Sequence, residues 1–499
     1  MAVTGVGSAM LPTLQALSGM RNQLDDLQKQ LASGLKSDTY AGLGLDRGLT
    51  VGLRSQLAAI QGYQQSNTLV GVRLELMQTA LTEFDSVSQQ ARGTIAQSQF
   101  TLNGGSQTTA QVNAVNVLDQ LLGTLNTSVD GRYLFSGNDV TQPPVDTADH
   151  ILNGDGTKAG LKQLIAERKQ ADLGGDGLGR LSVGAPGATS VSLTEDAAPP
   201  FGFKLAGATT TMAGATVSGP TGSPASLTFD IGATNPSEGD TVKFSFNLPD
   251  GTTADLTLTA TTASPPGFGQ FTIGATPGDT ATSLKAALTA GLQNLGSTQL
   301  AAASAVAAGN DFFSADADHP PQRVGGSPPF YGATTLVDGS ATTVQWYKGD
   351  AAANDPRTSV TARIDDSVSV AYGARANEEA LRKAVQSVAV FAATSYSGST
   401  TDQVAYNALQ QRLSATLSGG QNQQKISDIG GQLATAQVAL QNTKDRQDQT
   451  NTTLGNLLQN VQGAPSEQVA MQLLTLQTSL QATMQTTAML LKTSLVNYL

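Results

Sequence analysis

No cysteine occurs among the 499 residues. That excludes disulfides, thiolate metal sites and cysteine nucleophiles. Charge is scarce as well: charged residues make up 13% of the chain and aromatics 5%. Histidine occurs twice, at His150 and His319, both in loop sequence near Asp or Pro. Neither belongs to an H-E-x-x-H pairing or a comparable metal-binding pattern. The formal net charge of −11 argues against nucleic acid as a partner, because phosphate binding needs clustered Lys and Arg. No apolar run of about 18 residues marks a membrane span, so no membrane insertion is expected. Met1 to Met20 lacks the basic start and continuous apolar core of a secretory signal. If the chain leaves the cell, it is expected to use a route that needs no cleaved signal.

The remaining candidates for chemistry are thin. Gly174-Gly-Asp-Gly-Leu-Gly179 is glycine-rich, but it lacks the Lys-Ser/Thr of a phosphate loop and reads as a turn. Asp25-Asp26 and Asp365-Asp366 are adjacent carboxylates, and neighbours in sequence do not face each other on a helix or strand. They read as solvated faces. The sequence therefore assigns no catalytic, cofactor-binding or metal-ligating residue, and the chain is expected not to be an enzyme.

What the chain does have is long helical periodicity at both ends. Leu17, Met20, Leu24, Leu27 and Leu31 alternate by threes and fours, a heptad seam. At the other end Leu473, Leu476, Leu480, Met484, Leu491 and Leu495 recur at helical spacing, and Lys492 is the one charge from Val469 to Leu499. A surface helix normally carries charge on its outer face. Here that face holds Gln, Thr and Ser, which suits contact with helices on more than one side. Further helical patterns run from about Leu49 to Gln97, Ala110 to Val129, Glu378 to Leu417 and Gln424 to Val461.

Composition shifts near Gly137, and Gly, Thr, Ala, Pro and Asp dominate to about Gly373. Thr241 to Phe246 alternates apolar and polar, Pro249-Asp250-Gly251 supplies a turn, and Thr253 to Leu258 follows: a hairpin. A strand is expected at Phe271 to Ile273. A helix is expected from Asp279, read as its N-cap, through Leu292. A short helix is expected over Leu300 to Ala307, a charged helix over Gly160 to Asp172, and strands at Val344 to Tyr347 and Ser359 to Val370. The fold class is α+β. The domain reading is a helical region at 1–137, a β-rich outer region at 138–209 and 314–373, a small α/β surface domain inserted at 210–313, and a second helical region at 374–499. The inserted domain is expected to be dispensable for assembly.

Four segments resemble the bacterial flagellin family, which includes filament flagellins and the related hook–filament junction protein. Gln30-Leu-Ala-Ser-Gly-Leu-Lys36 is similar to the break after the first flagellin helix. Asn67 to Glu83 resembles the family's second helix, and Tyr372-Gly-Ala-Arg-Ala-Asn-Glu-Glu379 resembles the return into its helical core. Gly131-Arg-Tyr-Leu-Phe-Ser-Gly137 and the terminal Val496-Asn-Tyr-Leu499 are closer to the junction protein. The resemblance covers 1–137 and 340–499. It implies a long coiled-coil core formed by both chain ends, with short β elements and a projecting middle. It also implies a structural subunit of the extracellular flagellar filament, or alternatively of the hook–filament junction. The two seams, from Leu17 to Leu31 and from Leu473 to Leu495, would then form the self-assembly interface. The implied partners are further copies of the chain, other flagellins, hook-junction and filament-cap proteins, and a type III-type export apparatus with its chaperone. No cofactor is implied.

Overall fold

The computed structural model describes residues 5–496 except Asn103, Pro186, 197–199, 317–318 and 421–422. Side chains 5–10, 490, 491 and 493–496 lie outside the described residues. Helix α1 (Gly5–Ser33) is followed by α2 (Arg47–Gln97) and α3 (Thr109–Leu125). Thr108 and Gln111 close a reciprocal capping box at the start of α3. A hairpin, β1 (Ser128–Val129) and β2 (Arg132–Tyr133), precedes the short α4 (Ala148–Asn153) and α5 (Leu161–Leu173). Eight strands come next: β3 (Leu181–Gly184), β4 (Ser190–Glu195), β5 (Lys204–Thr210), β6 (Thr216–Thr221), β7 (Ser226–Asp230), β8 (Thr241–Asn247), β9 (Thr253–Thr261) and β10 (Gln270–Thr272). Helices α6 (Pro277–Leu295) and α7 (Ala301–Phe313) follow, joined by one π-helical turn. The chain then forms four short strands, β11 (Gln322–Val324), β12 (Leu336–Asp338), β13 (Thr361–Arg363) and β14 (Ser369–Ala371). It closes with α8 (Glu379–Ala393), α9 (Asp402–Ser418), α10 (Ile426–Gln462) and α11 (Ser466–Val496). The α+β class and its long terminal helices are as the sequence implied.

The chain divides into two compact units. One gathers Met1–Val70, Arg363–Val370 and Val438–Leu499; the other gathers Gly71–Ala362 and Ala371–Gln437. In the second unit every residue of α8 from Ala384 to Ala393 is buried, Gln386 and Ser387 included. It packs against α3, α7 and α9. The rings of Phe100, Tyr396 and Phe391 surround the buried Tyr406. Two of the flagellin-like segments meet here. The Gly137 amide donates to the Ala374 carbonyl at 3.0 Å, and the Ala376 amide to that of Phe135 at 2.8 Å. One continuous helical pattern over Glu378 to Leu417 is corrected: α8 ends on Thr394, and the chain turns through Gly398 at φ 86° before α9 begins.

The eight strands of the same unit form two four-stranded sheets, in the orders β3-β4-β7-β6 and β10-β9-β8-β5. All neighbours are antiparallel except β9 and β10. The expected hairpin is β8–β9, with Val242, Phe244 and Phe246 on its buried face. Both sheets and α6 share one core; Phe229 and Phe244 meet edge to face across it at 6.3 Å. That core reaches back to Leu178 and Leu181, so three strands before residue 210 belong with it. Helix α6 begins two residues before Asp279. Thr276 is its N-cap and Asp279 completes the capping box. Val344 to Tyr347 forms only isolated bridges, Val145 with Tyr347 and Ala159 with Thr343 on its flank.

Helix α7 belongs to the helical core. It packs on α5, α8 and α9, and Phe313 meets Trp346 at a tilt of 55° with ring centroids 5.1 Å apart, while the indole donates to the Phe313 carbonyl at 2.9 Å. Between α5 and α7 a single guanidinium, Arg168, serves Asp172 at 2.9 Å and Asp311 at 3.1 Å. Burial pushes the Asp311 carboxyl up to about 6, opposed by Arg168 and reinforced by Asp172. Burial raises Asp172 too.

Candidate assembly surface at the paired chain ends

Helix α1 packs on α11, and the two run antiparallel. The end of α1 meets the start of α11: Leu35 bridges Gly463, the Lys36 amide donates to the Gln462 carbonyl at 2.7 Å, and the Ala464 amide donates to the Gly34 carbonyl at 2.9 Å. Glycine is required on both sides of this clip. Gly34 caps α1 at φ 68°, a left-handed conformation that side chains resist. A Cβ on Gly463 would lie 2.4 Å from the Gln459 carbonyl oxygen. Lys36 Nζ donates to the Val461 carbonyl at 2.8 Å. Arg54 on α2 donates to Gln462 at 3.1 Å and to the Tyr40 hydroxyl at 2.8 Å. The Gln30–Lys36 segment is thus half of a two-part joint. Its other half, Gln462 to Pro465, was marked in the sequence only by Gly and Pro ending a helical pattern.

A second joint in this unit holds α2 to α10. Asn67 Nδ2 donates to Gln447 at 2.9 Å and to the Ile364 carbonyl at 3.2 Å, and Gln447 Nε2 donates to the same carbonyl at 2.8 Å. Asn67, Gln447 and Ile364 are all buried. Beside them Arg446 donates to Asp365 at 2.6 Å and holds that carboxyl below the usual range. Neither Asn67 nor Gln447 stood out in the sequence as a contact residue, because nothing local marks two amides 380 residues apart as partners.

Most of the seam residues occupy the paired face. Leu17, Met20, Leu24 and Leu27 on α1, and Leu473, Leu476 and Leu480 on α11, are half-buried. Leu31 and Met484 lie off the paired face, exposed at 45% and 43%. At the end of α1 the chain turns away through Gly34, and Gln30 takes the inner position, donating to the Lys36 carbonyl at 3.0 Å. On α11 Thr483 and Thr487 are half-buried where Met484 was expected. The side chains of Leu491 and Leu495 lie outside the described residues.

The uncharged face of α11 has a physical basis. Thr475, Thr478, Thr483, Thr486 and Thr487 each donate to the carbonyl four residues earlier, at 2.7–2.9 Å. Their hydroxyl protons are satisfied within the helix, so covering them with protein leaves no unmet donor. Large apolar residues remain outside: Leu11 and Leu14 on α1, and Met471 and Leu474 on α11. His150 pairs with Asp146 at 3.1 Å and His319 with Asp316 at 3.0 Å; both pairs are local. No curated protein matches the chain. Residues 8–139 match the family model described as the bacterial flagellin N-terminal helical region.

Proposed function

We propose that the chain is a bacterial flagellin-family protein, a structural component of the flagellum, as the flagellin N-terminal helical region matched over residues 8–139 supports, and that it is the filament subunit itself. Flagellin-family proteins polymerise into filaments, and in this reading copies of the chain pack through their paired ends. The observation that carries it is the two-helix pair of α1 and α11. Its seam is only half-buried, and Leu11, Leu14, Met471 and Leu474 stay outside it. An amphipathic pair left this open gains stability from further helices around it. The interface consists of Leu17, Met20, Leu24, Leu27, Leu473, Leu476 and Leu480 facing inward, with Leu31 and Met484 turned toward neighbouring copies. The chain acts outside the cell, after export, and has no catalytic role. Other flagellins, the hook-junction and cap proteins, and an export apparatus with its chaperone are its partners.

A second reading, the hook–filament junction protein, is favoured by the Gly131–Gly137 segment. Electron microscopy of flagella labelled with antibody against this chain separates the two. Label along the whole filament is expected. Label confined to the hook end would replace the filament reading by the junction one, and unlabelled flagella would remove both.

A further inference from the structure

The first unit carries a knob between the two chain-end joints and a groove beyond the α1–α11 joint, and no described residue of its own chain fills either. The knob is the short 3-10 stretch Tyr40–Asp46. Leu45 at its tip is fully exposed, at 102%. The knob is held in shape: Arg54 donates to Tyr40 and lies over its ring at 5.3 Å, and Thr39 Oγ1 caps the stretch by accepting from the Gly42 amide. The groove runs between α1 and α11, with a volume of about 800 Å3. Leu27, Met471 and Leu476 supply its apolar lining, and Asp26 and Thr475 its polar rim.

We propose that Leu45 of one copy seats in the α1–α11 groove of the next, which deepens the filament reading and rests on it. Three observations select a second copy as the occupant. A fully exposed Leu45 shows that the chain's own groove does not hold it. Charge is complementary: Asp46 faces Lys36 at 4.0 Å, while exposed Arg47 beside it and exposed Asp26 on the groove have no ion pair among the described residues. Knob and groove are also different surfaces of one chain. Their contact is heterologous, so it can pass from copy to copy along a filament, which a self-complementary two-fold contact cannot do.

The absence of native cysteine makes the test clean. A tagged chain carrying Leu45→Cys is mixed with an untagged chain carrying Met471→Cys, polymerised and oxidised, while light scattering follows polymerisation of the unaltered protein. The expected result is a tagged–untagged covalent adduct that accumulates with polymer and is absent from dilute monomer. In parallel, Arg47→Glu should slow polymerisation roughly tenfold, as expected for a steering charge at an interface rim, and Asp26→Arg in the same chain should restore it. Polymer without the adduct, and with Arg47→Glu assembling at the normal rate, would overturn the knob contact and leave the filament reading standing. Failure of the unaltered protein to polymerise, alone or on added filament ends, would overturn both.

Discussion

Asn67 shows how much one side chain can hold in this protein. Its amide joins α2, α10 and the Ile364 carbonyl in a buried site. Asn67→Ala leaves the buried Gln447 side-chain oxygen without its donor, while the Ile364 carbonyl keeps the bond from Gln447 Nε2, at a cost of about 1–3 kcal/mol. Thermal unfolding should show a lower midpoint for Asn67→Ala than for substitution of the exposed Thr68. Asp311 gives a pH signature. Its folded pKa is raised to about 6 by burial, so the folded chain binds more protons than the unfolded chain between about pH 4 and 6. Its contribution to stability is therefore full below pH 4, falls as pH rises toward 6, and is constant above. Asp172, also raised, acts in the same direction. Asp311→Asn should flatten the fall in melting temperature over that window, and an unchanged slope would show that Asp311 does not titrate there. Neither residue was legible beforehand. Periodicity reports which face of a helix is apolar, but not that Arg168 will meet a carboxylate 143 residues further along.

At the scale of elements the helices were the most legible, because α1, α2, α3, α10 and α11 repeat apolar residues over many turns. The β8–β9 hairpin was legible for the same reason at period two. What could not be read was ownership. The short helix expected over Leu300 to Ala307 falls within the inserted domain as read from the sequence, yet α7 packs in the helical core on α5, α8 and α9. Removing 210–313 would therefore strip Phe313 from Trp346. The sheets leave the core elsewhere: a Cβ on Gly296 would lie 3.0 Å from the Gly177 carbonyl oxygen, so the chain goes out and returns at one place. Deleting 181–295 across a short glycine linker should keep the near-ultraviolet dichroism of the core aromatics and still permit polymerisation. Deleting 210–313 should abolish both. Equal behaviour of the two deletions would refute this division. The seam yields a matching prediction. Leu24→Asp or Leu480→Asp places a carboxylate on a face that assembly buries. Either should abolish polymerisation, scored by sedimentation, while the dichroism of the second unit stays normal.

For the whole molecule, stability is uneven. α8 is buried through most of its length, whereas the described seam residues of α1 and α11 are no more than half-buried. Local opening follows such differences in burial. In dilute monomer, amide hydrogen exchange should be fast along α1 and α11 and slow along α8, and polymerisation should slow the terminal helices most. Strong protection of both ends in the monomer would contradict this. The pairing of α1 with α11 has a further consequence in time. A ribosome makes α1 more than 400 residues before it makes α11, the helix α1 packs on. Until Gly463 arrives, Gly34 and Leu35 have nothing to bridge. A polypeptide cut short anywhere between them keeps an unpartnered α1, whatever else it has folded. The clip therefore acts as a checkpoint on synthesis: only a chain read through α11 can close the α1–α11 pair.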